Sequence, residues 1–263
     1  MTRRALLLGA MAPPDPKLAR QLGITTATVA GLDVALPDLP RFLREELDLR
    51  VIDLNTNTIK GASRAQLEQF RTNAERTGCI ITNLKMNHTG IALDSDLYRK
   101  SIDDAAVLGC RWVRALPGQQ KPVWAAYVDG LRKLADYAAP RKIGLLIENY
   151  GWMEDDADAI PNLVRDIGHG VAAQPDTGNW SNDTVRFAGL AKAFPHAVSC
   201  DFKARDLGPD GDHAPYDLRK CFDIGWGAGF RGPWCFEHLP TSKSTVVRGV
   251  GLLRDMLRRW MGA

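Results

Sequence analysis

The stretch IGLLIENY, residues 143–150, limits what this chain can fold into more than any other. Ile143, Leu145, Leu146 and Ile147 form an apolar run broken by one glycine, the pattern of a strand buried on both faces. The run then ends in Glu148, Asn149 and Tyr150. A carboxylate at the end of such a strand is costly to bury unless something pairs with it. In parallel α/β proteins that end of the strand is where ligands bind. The same grammar returns downstream: GVAAQPDTGN closes on Asp176, AVSCDFKARD on Asp201 and GPWCFEHLP on Glu237. Four acids in register predict four strands converging on one cation, because clustered carboxylates repel unless a cation or proton sits among them. The alternative is four separate salt-bridging or helix-capping acids.

The rest of the chain alternates strand and helix patterns. ITTATVAG (24–31), LRVIDLNTNT (49–58), CIITNLKMNHTG (79–90) and CRWVRALPG (110–118) read as the first four strands, with amphipathic segments between them. Eight such alternations predict a parallel sheet, and the lack of any reversal favours closure. No GxGxxG or Walker turn follows an early strand, which argues against a doubly wound sheet. The expected fold is therefore α/β, a single (β/α)8 TIM barrel over residues 24–263, with residues 1–23 as an N-terminal extension. That extension, MTRRALLLGAMAPP onward, imitates a twin-arginine export signal; an ordinary N-terminal segment of a cytoplasmic protein is the favoured reading.

A net charge of +3 and a pI near 8.6 are too mild to argue for nucleic acid or a membrane surface as partner. No apolar run approaches the roughly 20 residues needed to span a bilayer. Five cysteines, scattered and without CxxC spacing, read as small buried residues rather than disulfides or a zinc site.

The order of strand ends, IEN, PDTGN, a short xFKA segment and then WCFEH, resembles the sugar phosphate isomerase/epimerase superfamily of xylose isomerase-like barrels. The resemblance spans about residues 24–260. It implies one divalent ion held by a Glu, an Asp, a His and a second Glu, with Glu148, Asp176 and Glu237 filling three of those places. Asp201 stands where the histidine would be. Either Asp201 ligates, giving an all-carboxylate site that favours Mg²⁺ or Mn²⁺ over Zn²⁺, or the site is degenerate and holds no ion.

Lys203 lies two residues from Asp201, so on a strand both face the barrel mouth. It is placed to stabilise an enolate, or to pair with Asp201 or Asp176 and replace the metal's charge. His88, Arg114, Asn149, Trp152, Asn179, Trp180 and His238 are candidate sugar-binding residues, each with a plainer structural alternative in a turn, a salt bridge or the core. The resemblance implies a small sugar or keto-sugar substrate and a metal-assisted isomerase or epimerase, in which Glu148 and Glu237 are paired bases. The same apparatus would also serve a keto-sugar lyase, including 3-keto-glycoside cleavage, or persist as a sugar-binding barrel without catalysis. Endonucleases acting on abasic DNA share the architecture, but few histidines fall at strand ends here and no basic stripe is present. Family members often pair through surface helices and loops, so a homo-oligomer is a further expectation from the resemblance.

Overall fold

The computed structural model describes residues 20–88, 91–238 and 242–262. The export-like N-terminal segment falls outside these. Strands β1 Leu22–Thr25, β2 Val51–Asn55, β3 Ile80–Met86, β4 Trp112–Ala115, β5 Gly144–Ile147, β6 Val171–Ala173, β7 Cys200–Lys203 and β8 Trp234–Glu237 alternate with helices. The helices are α1 Leu39–Glu45, α2 Arg64–Arg76, α3 Asp96–Leu108, α4 Trp124–Ala138, α5 Ala159–Ile167, α6 Asp183–Ala193, α7 Leu218–Gly227 and α8 Lys243–Met261. All strand pairs are parallel, in the order β6-β5-β4-β3-β2-β1-β8-β7. Single bridges, Ala173 to Ala197 and Asp176 to Asp201, join β6 and its extension to β7 and complete the ring. The result is the α/β barrel expected from the strand–helix alternation.

The first strand starts and ends earlier than its sequence suggests. Only Leu22–Thr25 is strand, and Thr26–Val29 turns into a 3₁₀ helix. The threonine hydroxyls explain the turn: Asn55 N–H donates to Thr26 Oγ1 at 2.9 Å, and Thr28 Oγ1 donates to the Phe236 carbonyl at 3.1 Å. Side-chain bonding of this kind competes with the sheet ladder.

Alternation along each strand divides the core in two. Ile52, Leu54, Leu145, Ile147, Phe202, Trp234 and Phe236 face outward and pack in the buried layer beneath the helices. The residues between them face the barrel axis: Val51, Leu146, Ala172 and Cys235 below, then Asp53, Glu148, Asp176, Asp201 and Glu237 towards the C-terminal ends. A bulge at Thr82 shifts β3 against β2 and sets Asn83 beside Asp53 and Lys85 beside Asn55. Polar side chains are thus stacked at one end of the barrel. Five buried cysteines are free, and among the described residues no helix is long and apolar enough to cross a membrane.

Candidate active site

Five carboxylates meet at the C-terminal end of the barrel. Asp53 comes from β2, Glu148 from the end of β5, Asp176 from the extension of β6, Asp201 from β7 and Glu237 from β8. Oxygens of Glu148, Asp176 and Asp201 lie within 4.8 Å of one another, a grouping that could hold a divalent cation. Burying such a set uncompensated would cost many kcal/mol, so each acid must find positive charge or a proton.

Three basic side chains supply that charge. Lys85 Nζ donates to Asp201 Oδ2 and stands 3.4 Å from Asp53, 3.9 Å from Glu148 and 3.9 Å from Glu237. Lys203 Nζ contacts Asp176 at 2.9 Å, Glu237 at 2.8 Å and Asn179 Oδ1 at 2.7 Å. Arg114 Nε lies 2.7 Å from Glu148 Oε2, an ion pair without hydrogen-bond alignment, so that among the described residues Arg114 Nε, Arg114 Nη1 and Glu148 Oε2 have unused hydrogen-bonding capacity.

Burial alone would depress both lysines. The carboxylates around them outweigh it, led by Asp201 and Asp53 for Lys85 and by Asp176 and Glu237 for Lys203, and hold both ammoniums above the ordinary lysine pKa. Asp201 is pushed well above the usual carboxylate range by burial, with Asp53 and Glu148 adding to the rise against the pull of Lys85. Burial also raises Asp53, against Lys85. Burial pushes Asp176 up to about 6 despite Lys203. Glu237 feels burial too, but Lys203 and Lys85 prevail and hold it below its ordinary value.

Amides fix the acids in place. Asn83 Nδ2 donates to Asp53 Oδ1 at 2.8 Å, and Gln174 Nε2 donates to Asp53 Oδ2 at 2.6 Å and Asp201 Oδ1 at 3.1 Å. Asn149 is a strut: its side chain donates to the carbonyls of Asp176 and Asn179 and accepts from Asp176 N–H. Asn179 Nδ2 reaches Asp176 Oδ2 at 2.9 Å and Glu148 Oε1 at 3.4 Å.

The other expected sugar-binding residues make contacts of their own around the carboxylate cluster. His88 bonds Ser101 at 2.9 Å and packs edge-on against Tyr98 on α3. His238 Nδ1 bonds the Ala204 carbonyl at 2.7 Å, and its ring lies against Gly249 of α8. Trp180 donates to the Asp176 carbonyl at 2.8 Å and its ring covers Gly189 of α6, where a Cβ would come within 2.2 Å. Trp152 packs with Trp124 and Tyr127 beneath Lys121, and its buried Nε1 has no hydrogen-bond partner among the described residues.

A family model for the xylose isomerase-like TIM barrel matches residues 17–256. The chain belongs to this family. Solved xylose isomerase-like barrels share its fold at low identity. A xylose isomerase domain protein from Planctomyces limnophilus aligns over 93% of this chain and 98% of its own, with 16% identity and a TM-score of 0.69. D-psicose 3-epimerase from Clostridium cellulolyticum H10, solved with D-tagatose, covers 91% and 98% with 12% identity and a TM-score of 0.72. A xylose isomerase-like barrel from Mycobacterium smegmatis, in complex with magnesium, covers 91% and 95% with 19% identity and a TM-score of 0.64. No curated protein matches the chain.

The xylose isomerase-like fold raises the question of an ion, and the side chains answer it. Taken by themselves, the three grouped acids suit a hard divalent cation. With the lysines in place they do not. Asp176 accepts at Oδ1 from Gly178 N–H (2.6 Å) and Asn179 N–H (2.9 Å), and at Oδ2 from Lys203 and Asn179, which saturates its lone pairs. Asp201 is engaged by Lys85 and Gln174.

Proposed function

We propose that this chain is a carbohydrate isomerase or epimerase that moves a proton at a carbon next to a carbonyl. The observation that carries the reading is the pairing of Glu148 and Glu237. From the ends of β5 and β8, each stands 3.9 Å from the same lysine nitrogen, so two carboxylates flank one centre. Isomerisation needs a base that takes a proton and a group that returns it to the neighbouring carbon; epimerisation returns it to the opposite face. Glu237 is the more open of the two, with 13% of its side chain exposed against 3% for Glu148, and Lys203 and Lys85 keep it ionised. It takes the role of first base, and Glu148 that of its partner.

Negative charge then develops on the carbonyl oxygen. Lys203, held protonated, and the unfilled Arg114 Nη1 are the donors for the enediolate oxygens. Fixed donors in a water-poor site stabilise such charge far better than water does. An ion held by Glu148, Asp176 and Asp201, an all-oxygen set favouring Mg²⁺ or Mn²⁺, would first have to displace both lysines, and no proton transfer proposed here uses one.

The D-psicose 3-epimerase structures solved in the presence of D-fructose and with D-tagatose support a small free sugar as substrate class. The mouth agrees, because its three bases are already engaged by carboxylates and a phosphate dianion would meet excess acid. The test is solvent exchange. Incubated in D₂O with a panel of ketohexoses and aldoses, the protein should wash out the C–H signal beside the carbonyl, read by proton NMR. Glu237→Gln and Glu148→Gln should slow that exchange roughly 10²–10⁴-fold with an unchanged circular dichroism spectrum. Exchange that persists in both variants, or is absent from the parent protein across the panel, would remove the assignment.

A further inference from the structure

We propose that the Lys85 ammonium is the resident cation of this acid cluster, so that the site is assembled and charged without a divalent ion. The inference goes beyond the isomerase reading: it concerns what holds the carboxylates, and it is decided by metal binding rather than turnover.

The geometry is that of a shared counter-ion. Acids from β2, β5, β7 and β8 all lie within 3.9 Å of one nitrogen, and the Lys85 side chain is 2% exposed. A hard ion bonded to Asp201 and Glu148 would sit about 2.0–2.6 Å from their oxygens, within the volume that the ammonium fills. The ammonium has no retreat below, because Asn83 and Gln174 close the floor through hydrogen bonds to Asp53 and Asp201. Gln174 holds Asp201 Oδ1 and leaves Oδ2 to Lys85, whereas on Asp53 it shares Oδ2 with the ammonium while Asn83 holds Oδ1.

The second lysine finishes the arrangement. Lys203 bridges Asp176 and Glu237, and Asp176 already accepts two backbone N–H groups. An ion recruited here would have to break four hydrogen bonds on Asp176 or expel Lys85 from Asp201. An ammonium differs from an ion in a way that matters for function: it is covalently tethered to β3, cannot be chelated, and places its charge at a fixed height in the barrel.

The experiment uses the full chain, stripped with EDTA and titrated with Mn²⁺, with bound metal read by electron paramagnetic resonance and stability by thermal melting. The parent protein is expected to take up no stoichiometric Mn²⁺ and to melt at the same temperature in EDTA and in excess Mn²⁺. Saturable one-to-one binding, or a melting temperature that falls in EDTA, overturns the proposal. Lys85→Met strips the acids of their cation and should gain Mn²⁺ affinity at least tenfold, with a melting temperature that rises on adding Mn²⁺. Lys85→Arg keeps the charge and should stay indifferent to the metal. A folded Lys85→Met variant that ignores Mn²⁺ also overturns the proposal, and if that variant does not fold, the titration of the parent protein decides. None of these readouts needs a substrate. A metal-binding parent that still exchanges sugar protons would defeat this inference and leave the isomerase reading standing; a metal-indifferent parent without exchange would do the reverse.

Discussion

Asp176 and Glu237 grip the same Lys203 ammonium, at 2.9 and 2.8 Å, yet their carboxyls shift in opposite directions. Burial lifts Asp176 from 3.8 to about 6, whereas the two lysines outweigh burial at Glu237 and keep it below 4.5. The consequences for stability have opposite signs. Between pH 3.8 and about 6 the folded chain holds a proton on Asp176 that the unfolded chain does not, so the penalty for burying this anion fades as the pH falls through that window. Glu237 contributes stability that is full above 4.5 and lost as the pH drops through its lower folded pKa. From pH 7 to 4.5 the parent protein should therefore gain about 2 kcal/mol relative to Asp176→Asn, measured by urea unfolding at each pH. A difference that is flat or of opposite sign would mean that Asp176 stays ionised in the fold. Asp176, Asp201 and Glu237 were legible in the sequence because each ends an apolar run. Asp53 and Lys85 mark the polar ends of their strands in the sequence, but nothing in the local pattern assigns either of them to the acid cluster. What signal there was lay in the i, i+2 spacing of Asp53 with Asn55 and of Asn83 with Lys85. That Lys85 meets Asp201, 116 residues away, is a fact of closure that no local pattern carries.

At the level of elements, the loop after β5 depends on one backbone position. Gly151 has φ +59°, and a Cβ there would stand 2.3 Å from the Gly118 carbonyl oxygen in the loop after β4. The turn delivers Trp152 into its aromatic contacts while Glu148 and Asn149 stay at the strand end. Gly251, inside α8, is the contrary case: nothing lies within 4 Å of its added Cβ. Gly151→Ala should cost about 1–3 kcal/mol through strain and collision, and Gly251→Ala should add roughly 0.5–1 kcal/mol through helix propensity. Urea titration of the two variants checks the pair, and a neutral Gly151→Ala would show that the loop has another conformation available. Helices and strands were readable from periodicity because their burial is one-sided or complete. The first strand ends before its sequence pattern does because Thr26 and Thr28 are β-branched, as strands prefer, but spend their hydroxyls on neighbouring backbone. Trp180 and His238 follow strand-end acids in sequence, yet Trp180 covers Gly189 and His238 lies against Gly249. Glycines on the outer helices make the room for those rings, and sequence distance hides the match.

Across the whole molecule, the barrel is a ring with one weak joint. Seven strand pairs are continuous ladders, from β6 through β1 and β8 to β7, whereas β6 meets β7 through isolated bridges. Three backbone bonds do most of the joining: Val198 N–H to the Ala173 carbonyl at 3.1 Å, Asp201 N–H to Pro175 at 2.9 Å and Thr177 N–H to Asp201 at 3.0 Å. Pro175 has no N–H to give to β7, so only its carbonyl joins the seam and the ladder is interrupted there. The site compensates, because Lys203 ties β7 to the extension of β6 through Asp176, and Gln174 ties it to Asp201. The charges that perform the proposed chemistry therefore also close the barrel. Native-state hydrogen exchange should find the amides of Thr177, Val198 and Asp201 opening at lower free energy than those of Leu54 and Leu84 in the β2–β3 ladder. Lys203→Met should widen that gap, since it releases Asp176 from β7 while leaving β2 and β3 untouched. Uniform protection around the ring in both proteins would mean that the backbone bridges hold the joint unaided, and that the lysine serves the reaction without serving the fold.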